Sequence, residues 1–249
     1  MTLSSKTHTV VAVLFAAVLS LSAPAQTPAP NTTEWESEAL KLRLFYPSDL
    51  VKADTEQVMH DDHLTLAGVS GATDPKLAGA ARCLRPALVL QLPHSGPPQT
   101  TKTQPTPDGD TQVTVTPTTT ATLLLAELDI NCLNAEHEST STTLLNDMAE
   151  IVTKVPGMRP TAPPSTYTIG WQKVHMAAAQ GQPQSEAANI APAQLYTMGL
   201  STNWNSHLLV WYFTSNNVDT LNRITKTTVR FGRDQAAPLY PLTIGNTTP

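Results

Sequence analysis

Charge is scarce in this sequence. Asp, Glu, Lys and Arg make up 14% of its 249 residues, and 15 basic against 20 acidic residues give a formal charge of -5. No broad basic field is available to attract phosphate backbones or anionic lipid, so a nucleic-acid partner is set aside. Aromatic residues are thin at 5%, and the 11 glycines are outnumbered by 21 prolines. The Gly-rich phosphate loops G-x-x-x-x-G-K-[ST] and G-x-G-x-x-G are missing, as are H-E-x-x-H and an EF-hand loop, which removes the most readable nucleotide, zinc-protease and calcium signatures. Long apolar runs are missing beyond the N-terminus, so no transmembrane segment is expected after it. Cysteine is limited to Cys83 and Cys132, too few for a disulfide-dense scaffold and without C-x-x-C spacing.

What is present begins with an export pattern. Lys6 and His8 precede the apolar run from Val10 to Leu21, which ends at Ala23-Pro24-Ala25, a small-x-small site before Gln26. This reads as a secretory signal peptide over residues 1–25, and no Cys follows it to carry a lipid anchor. The expected location is secreted or periplasmic. In that setting an even pair of cysteines is expected to join, closing a loop of about 50 residues for roughly 4 kcal/mol in the chain-entropy picture.

Residues 26–37 are polar and Pro-rich and read as a tether, with the folded domain expected over 38–232 and an irregular tail over 233–249. Lys41 to Tyr46 alternates charge and bulk before the turn Pro47-Ser48-Asp49, as a half-buried strand would. Ala87 to Leu92 and Thr122 to Ile130 are further strand candidates. On the second, Leu124, Ala126, Leu128, Ile130 and Cys132 share one face, so pairing of these two strands would bring the sulfurs together at the sheet end. Between them the Thr/Pro-rich segment 93–120 reads as a loop with little apolar area to offset ordering, apart from a short strand at Gln112 to Thr116.

Leu144, Leu145, Met148, Ile151, Val152 and Val155 recur at helical spacing after a Ser/Thr run and before Pro156-Gly157. Strand candidates follow at Thr166–Ile169, Trp171–Ala179, Gln194–Thr202 and Ser206–Thr214. The last is apolar on both faces, which predicts a central strand covered on both sides. Asn216 or Asn217 can cap a helix in which Val218, Leu221 and Ile224 face inward. The fold class expected from this order is α+β, a single domain with a central, mostly antiparallel sheet and helices packed on its faces.

Phe45-Tyr46-Pro47-Ser48-Asp49-Leu50, then Gly170-Trp171 in a hairpin, then Trp211-Tyr212-Phe213-Thr214-Ser215 and a final helix ending Val229-Arg230-Phe231 together resemble the PsbP-like α/β/α sandwich superfamily over roughly residues 38–232. The resemblance implies that fold and a tendency toward noncatalytic binding or assembly, and it carries over no catalytic residue. Export is incompatible with the Ran partner of one nuclear relative, and the 93–120 segment and cysteine pair are not placed by the resemblance.

Candidate chemistry is sparse. His60-Asp61-Asp62-His63 is the densest group of metal-ligand types, and His60, Asp62 and His63 could approach one ion if helical; a solvated turn is the competing reading. Glu136-His137-Glu138 precedes a helix, where acids suit the dipole. Gly68-Val69-Ser70-Gly71-Ala72 lacks the second glycine of a nucleophile elbow. His175 and His207 are placed on adjacent strand candidates, with packing favoured over proton relay. Trp171, Trp204, Trp211 and Tyr212 could line a groove; Trp211 and Tyr212 suit a core, whereas Trp204, in a polar turn, is the candidate ligand-binding residue. The sequence thus points to an exported noncatalytic binding or assembly protein of the bacterial envelope, with an unknown envelope protein or small ligand as partner and no cofactor. The alternative is a metal-dependent hydrolase using His60, Asp62 and His63.

Overall fold

The computed structural model describes residues 31–55, 83–93, 99–105, 111–116, 119–129, 132, 141–182 and 194–240. Its main body is an eight-stranded antiparallel sheet. Along it run β3 (Val51–Lys52), β4 (Leu84–Gln91), β7 (Ala121–Leu128), β12 (His207–Ser215), β11 (Leu195–Trp204), β10 (Gln172–Gly181) and β8 (Met158–Pro160), with β9 (Ser165–Ile169) also paired to β10. A second sheet has the order β1 (Thr32–Ser37), β2 (Leu42–Pro47), β13 (Thr228–Phe231), β14 (Ala237–Pro238). The described helices are α1 (Ser141–Glu150), which tightens into a 3-10 turn over Ile151–Thr153, and α2 (Val218–Thr225).

The strand apolar on both faces is central, as its sequence requires. β12 sits between β7 and β11, and its odd residues Leu209, Trp211 and Phe213 face one buried cluster while Leu208, Val210 and Tyr212 face the other. α1 covers the second cluster with Leu144, Leu145 and Met148, the apolar stripe continuing into Ile151 and Val152 of the 3-10 turn. It lies so close to the sheet that a β-carbon on Gly199 would stand 2.2 Å from the Ala149 carbonyl oxygen, so glycine is required there by contact rather than by φ.

The expected helices-on-both-faces arrangement is incorrect: among the described residues strand far outweighs helix, which is confined to short segments, making the fold β-rich. The first face is covered mainly by the four-stranded sheet, through Leu42, Leu44, Val229 and Phe231, with α2 adding Leu221 and Ile224. The error has a local cause. Val229-Arg230-Phe231 ends a strand, not a helix, because α2 stops at Thr225 and the β-branched run Thr227-Thr228-Val229 favours extended backbone. α2 itself is capped as the sequence suggests, the Asn217 side chain accepting the Thr220 N–H at 2.9 Å.

β4 and β7 pair antiparallel, with Leu84 opposite Leu128, and the Asp129 N–H donates to the Cys83 carbonyl at 2.9 Å. That register brings Cys83 and Cys132 into a disulfide with 5.6 Å between their α-carbons. β4 continues through Pro86 by shifting register between Pro86 and Leu88. Leu84 therefore faces the α1 cluster and Leu88 and Leu90 the other, a parity change that one extra residue in a strand produces. Within 93–120, β5 (Gln99–Pro105) and β6 (Thr111–Thr116) form a separate two-stranded antiparallel sheet. Thr32–Ser37, inside the expected tether, are β1, and Leu239 and Tyr240, inside the expected tail, are buried.

Candidate ligand cavity

Three turns meet at one end of the paired sheets. The β1–β2 turn carries Glu38 and Lys41, with Lys41 at φ 49. The β11–β12 turn is the two-residue connection Asn205-Ser206, at φ 50 and 67, closed by the pair Trp204 and His207. Two consecutive left-handed residues are what a type I′ hairpin turn requires. The β13–β14 turn starts at Gly232, φ 57, and its Asp234 N–H donates back to the Phe231 carbonyl at 3.0 Å.

The turns are bonded to one another. The Gly232 N–H donates to the Lys41 carbonyl at 2.9 Å, and the Trp204 Nε1–H donates to the Leu40 carbonyl at 2.8 Å. Trp204 packs on Phe231 with centroids 5.2 Å apart, and Phe231 in turn meets the fully buried Trp211 edge-on at 6.4 Å. A β-carbon at Gly232 would stand 3.3 Å from the Trp204 ring, so the left-handed turn and the indole are fitted to each other. An aromatic stack thus runs from the core to the surface and fixes one wall.

The space between these turns is an open cavity of about 810 Å³, with Lys41, Arg43, Trp204, Arg230 and Arg233 in its lining together with Glu36 and Glu38. The volume suits a small molecule or short oligomer. Arg43 is matched by Glu34 at 3.2 Å and Glu36 at 2.8 Å. Arg230 lies over the Phe45 ring at 5.7 Å, and its buried Nε has no protein acceptor.

Trp204, the one ligand-binding candidate from sequence, lines this cavity, although it is half-buried rather than an exposed turn residue. Trp171 is the exposed one, at 90%. It stands at the tip of the β9–β10 hairpin beside Gly170, where a β-carbon would lie 3.6 Å from the Asp234 carboxylate. His60, Asp62 and His63, Glu136-His137-Glu138 and Gly68 to Ala72 lie outside the described residues. Among the described residues no group of three or more His, Cys, Asp or Glu side chains is placed to hold a metal.

His175 and His207 are not on adjacent strands, because β11 runs between β10 and β12. Each has an acidic partner that sequence spacing did not show. His175 Nε2 is 2.9 Å from Glu150 Oε1 and its Nδ1 3.2 Å from Thr166 Oγ1, tying the end of α1 to β10 and β9. His207 Nδ1 is 2.5 Å from Glu127 Oε1 on β7. Both pairs bridge neighbouring elements and neither lines the cavity. Comparison with models of known families and with curated proteins finds no match to this chain.

Proposed function

We propose that this chain is an exported, noncatalytic binding protein of the bacterial cell envelope, secreted or periplasmic, and that its ligand seat is the cavity at Lys41, Trp204 and Gly232. The cavity's preorganisation carries the proposal. Its walls are three turns joined by backbone and indole hydrogen bonds, so a ligand meets a surface whose ordering entropy has already been lost in folding. The disulfide points to an oxidising, extracytoplasmic compartment, in keeping with the export pattern at residues 1–25. Among the described residues no helix is long and apolar enough to cross a membrane. The PsbP-like likeness belongs to this proposal through the noncatalytic binding tendency it implies.

The test is a small-molecule screen read by amide chemical shifts on the mature protein. Binders are expected to move Lys41, Trp204, Asn205 and Gly232 together. Binding that instead centres on the Glu150–His175–Thr166 contacts, or none across a broad screen, would overturn the proposal.

A further inference from the structure

Resting on that binding reading, we infer that the cavity selects a small organic oxyanion, a carboxylate or phosphate, and that the Arg230 guanidinium is its recognising group. The first reason is local charge. Four cationic and two acidic side chains line the cavity in a chain whose formal charge is -5. Glu36 is already engaged by Arg43, and among the described residues Lys41, Arg230 and Arg233 have no carboxylate partner. A positive patch on an acidic protein concentrates anions locally.

The second reason is strand register. Arg230 on β13 stands directly opposite Arg43 on β2. Like charges in that relation are unfavourable, and the two glutamates of β1 relieve only Arg43. A bound oxyanion would supply the missing counter-charge for Arg230.

The third reason is the unmet donor. The Arg230 guanidinium lies over the Phe45 ring at 5.7 Å, and its buried Nε–H lacks an acceptor. A planar guanidinium fork matches two oxygens of a carboxylate or phosphate, and charge-assisted bonds to it are among the stronger ones available. Lys41 and Arg233 are exposed at the rim and add point charge without needing reorganisation of the core.

The experiment is calorimetric titration of the mature, oxidised protein with galacturonate, galactose and inorganic phosphate. Galacturonate differs from galactose by a carboxylate in place of a hydroxymethyl group, so the pair isolates the oxyanion. Saturable binding of galacturonate or phosphate, weakened by added salt and absent for galactose, is expected. Galacturonate binding without phosphate binding assigns a carboxylate seat, and the reverse assigns a phosphate seat. Arg230→Gln should weaken the bound anion by about tenfold or more, with Arg230→Lys recovering part of the loss. Lys41→Gln and Arg233→Gln, at exposed positions, should each weaken it by a smaller factor, whereas Arg85→Gln, which breaks an ion pair with Asp129, should leave it unchanged. Equal binding of galactose and galacturonate at the cavity would overturn the oxyanion inference while leaving the binding reading intact. Binding of neither anion, with neutral ligands from the screen seated at Trp204, would do the same; loss of all binding would overturn both.

Discussion

The two faces of the large sheet are closed in different ways, and the difference locates the candidate site. Helix α1 lies flat against one face, its carbonyl at Ala149 close against Gly199, and the side chains beneath it form a buried apolar layer. On the other face a smaller sheet supplies the cover, with α2 beside it. A helix presents a continuous convex surface and seals what it covers. A sheet ends in turns, and where the turns of two stacked sheets meet they leave a polar recess whose backbone is held by short-range bonds. The sheet-covered side has a cavity against its end, whereas on the helix-covered side the described residues are tied together by the disulfide and by His175–Glu150.

The largest perturbation of this contrast is expected on the sheet side. Phe231→Ala removes the ring between Trp204 and Trp211 and should cost about 3–5 kcal/mol by denaturant titration. It should also abolish the coordinated cavity shifts. On the helix side, Cys83→Ser with Cys132→Ser should cost about 2–4 kcal/mol, the range for a native cross-link of this kind. Cavity binding should survive that change, because neither cysteine lines it. Gly199→Ala forces a methyl against the Ala149 carbonyl and should cost about 1–3 kcal/mol, again without moving the ligand seat.

A smaller effect tests the polar stitch within the sealed face. The Tyr212 hydroxyl donates to the Met148 carbonyl at 2.7 Å, and Tyr212→Phe should cost about 1 kcal/mol at neutral pH. Burial raises the Tyr212 pKa above its ordinary 10.0. Above that ordinary value the unfolded chain loses the phenolic proton while the folded protein retains it, so the unfolded state binds fewer protons and stability falls as pH rises. Thermal unfolding followed from neutral pH into the alkaline range should show a shallower decline for Tyr212→Phe. The smallest expected change in stability, within about 0.5 kcal/mol, is Arg233→Gln at the cavity rim, visible in anion titrations rather than in melting curves.

Much of the large sheet was legible in the sequence because its signals are local. The two-faced apolar run from Leu208 to Phe213 required a central strand, and the i, i+4, i+7 stripe through Leu144, Met148 and Ile151 required a helix. The cysteine pairing is expected from an even pair in an exported chain, and the shared face of Leu124, Ala126 and Leu128 gives the sulfurs a place to meet at the sheet end. The small sheet was harder to read, since Val229 and Phe231 follow a helix closely and their two-residue period covers only four positions. The cavity was hardest. Lys41, Trp204 and Arg230 lie far apart in the chain and become neighbours through pairing of β2 with β13 and packing of the two sheets at Trp204, so no spacing rule announces them; Trp204 stands out in the sequence only as an aromatic in a polar turn. The acidic partners of His175 and His207 were hidden for the same reason, each lying on a different element.

The most direct test of an anion-recognising cavity is the side-chain Nε–H resonance of Arg230, identified by its disappearance in Arg230→Lys and followed by proton–nitrogen correlation as galacturonate or phosphate is added. A saturable shift of that resonance, accompanied by the Trp204 indole and the Gly232 amide, is the expected result. An Arg230 signal that stays fixed while anions bind elsewhere, or bind nowhere, would contradict it.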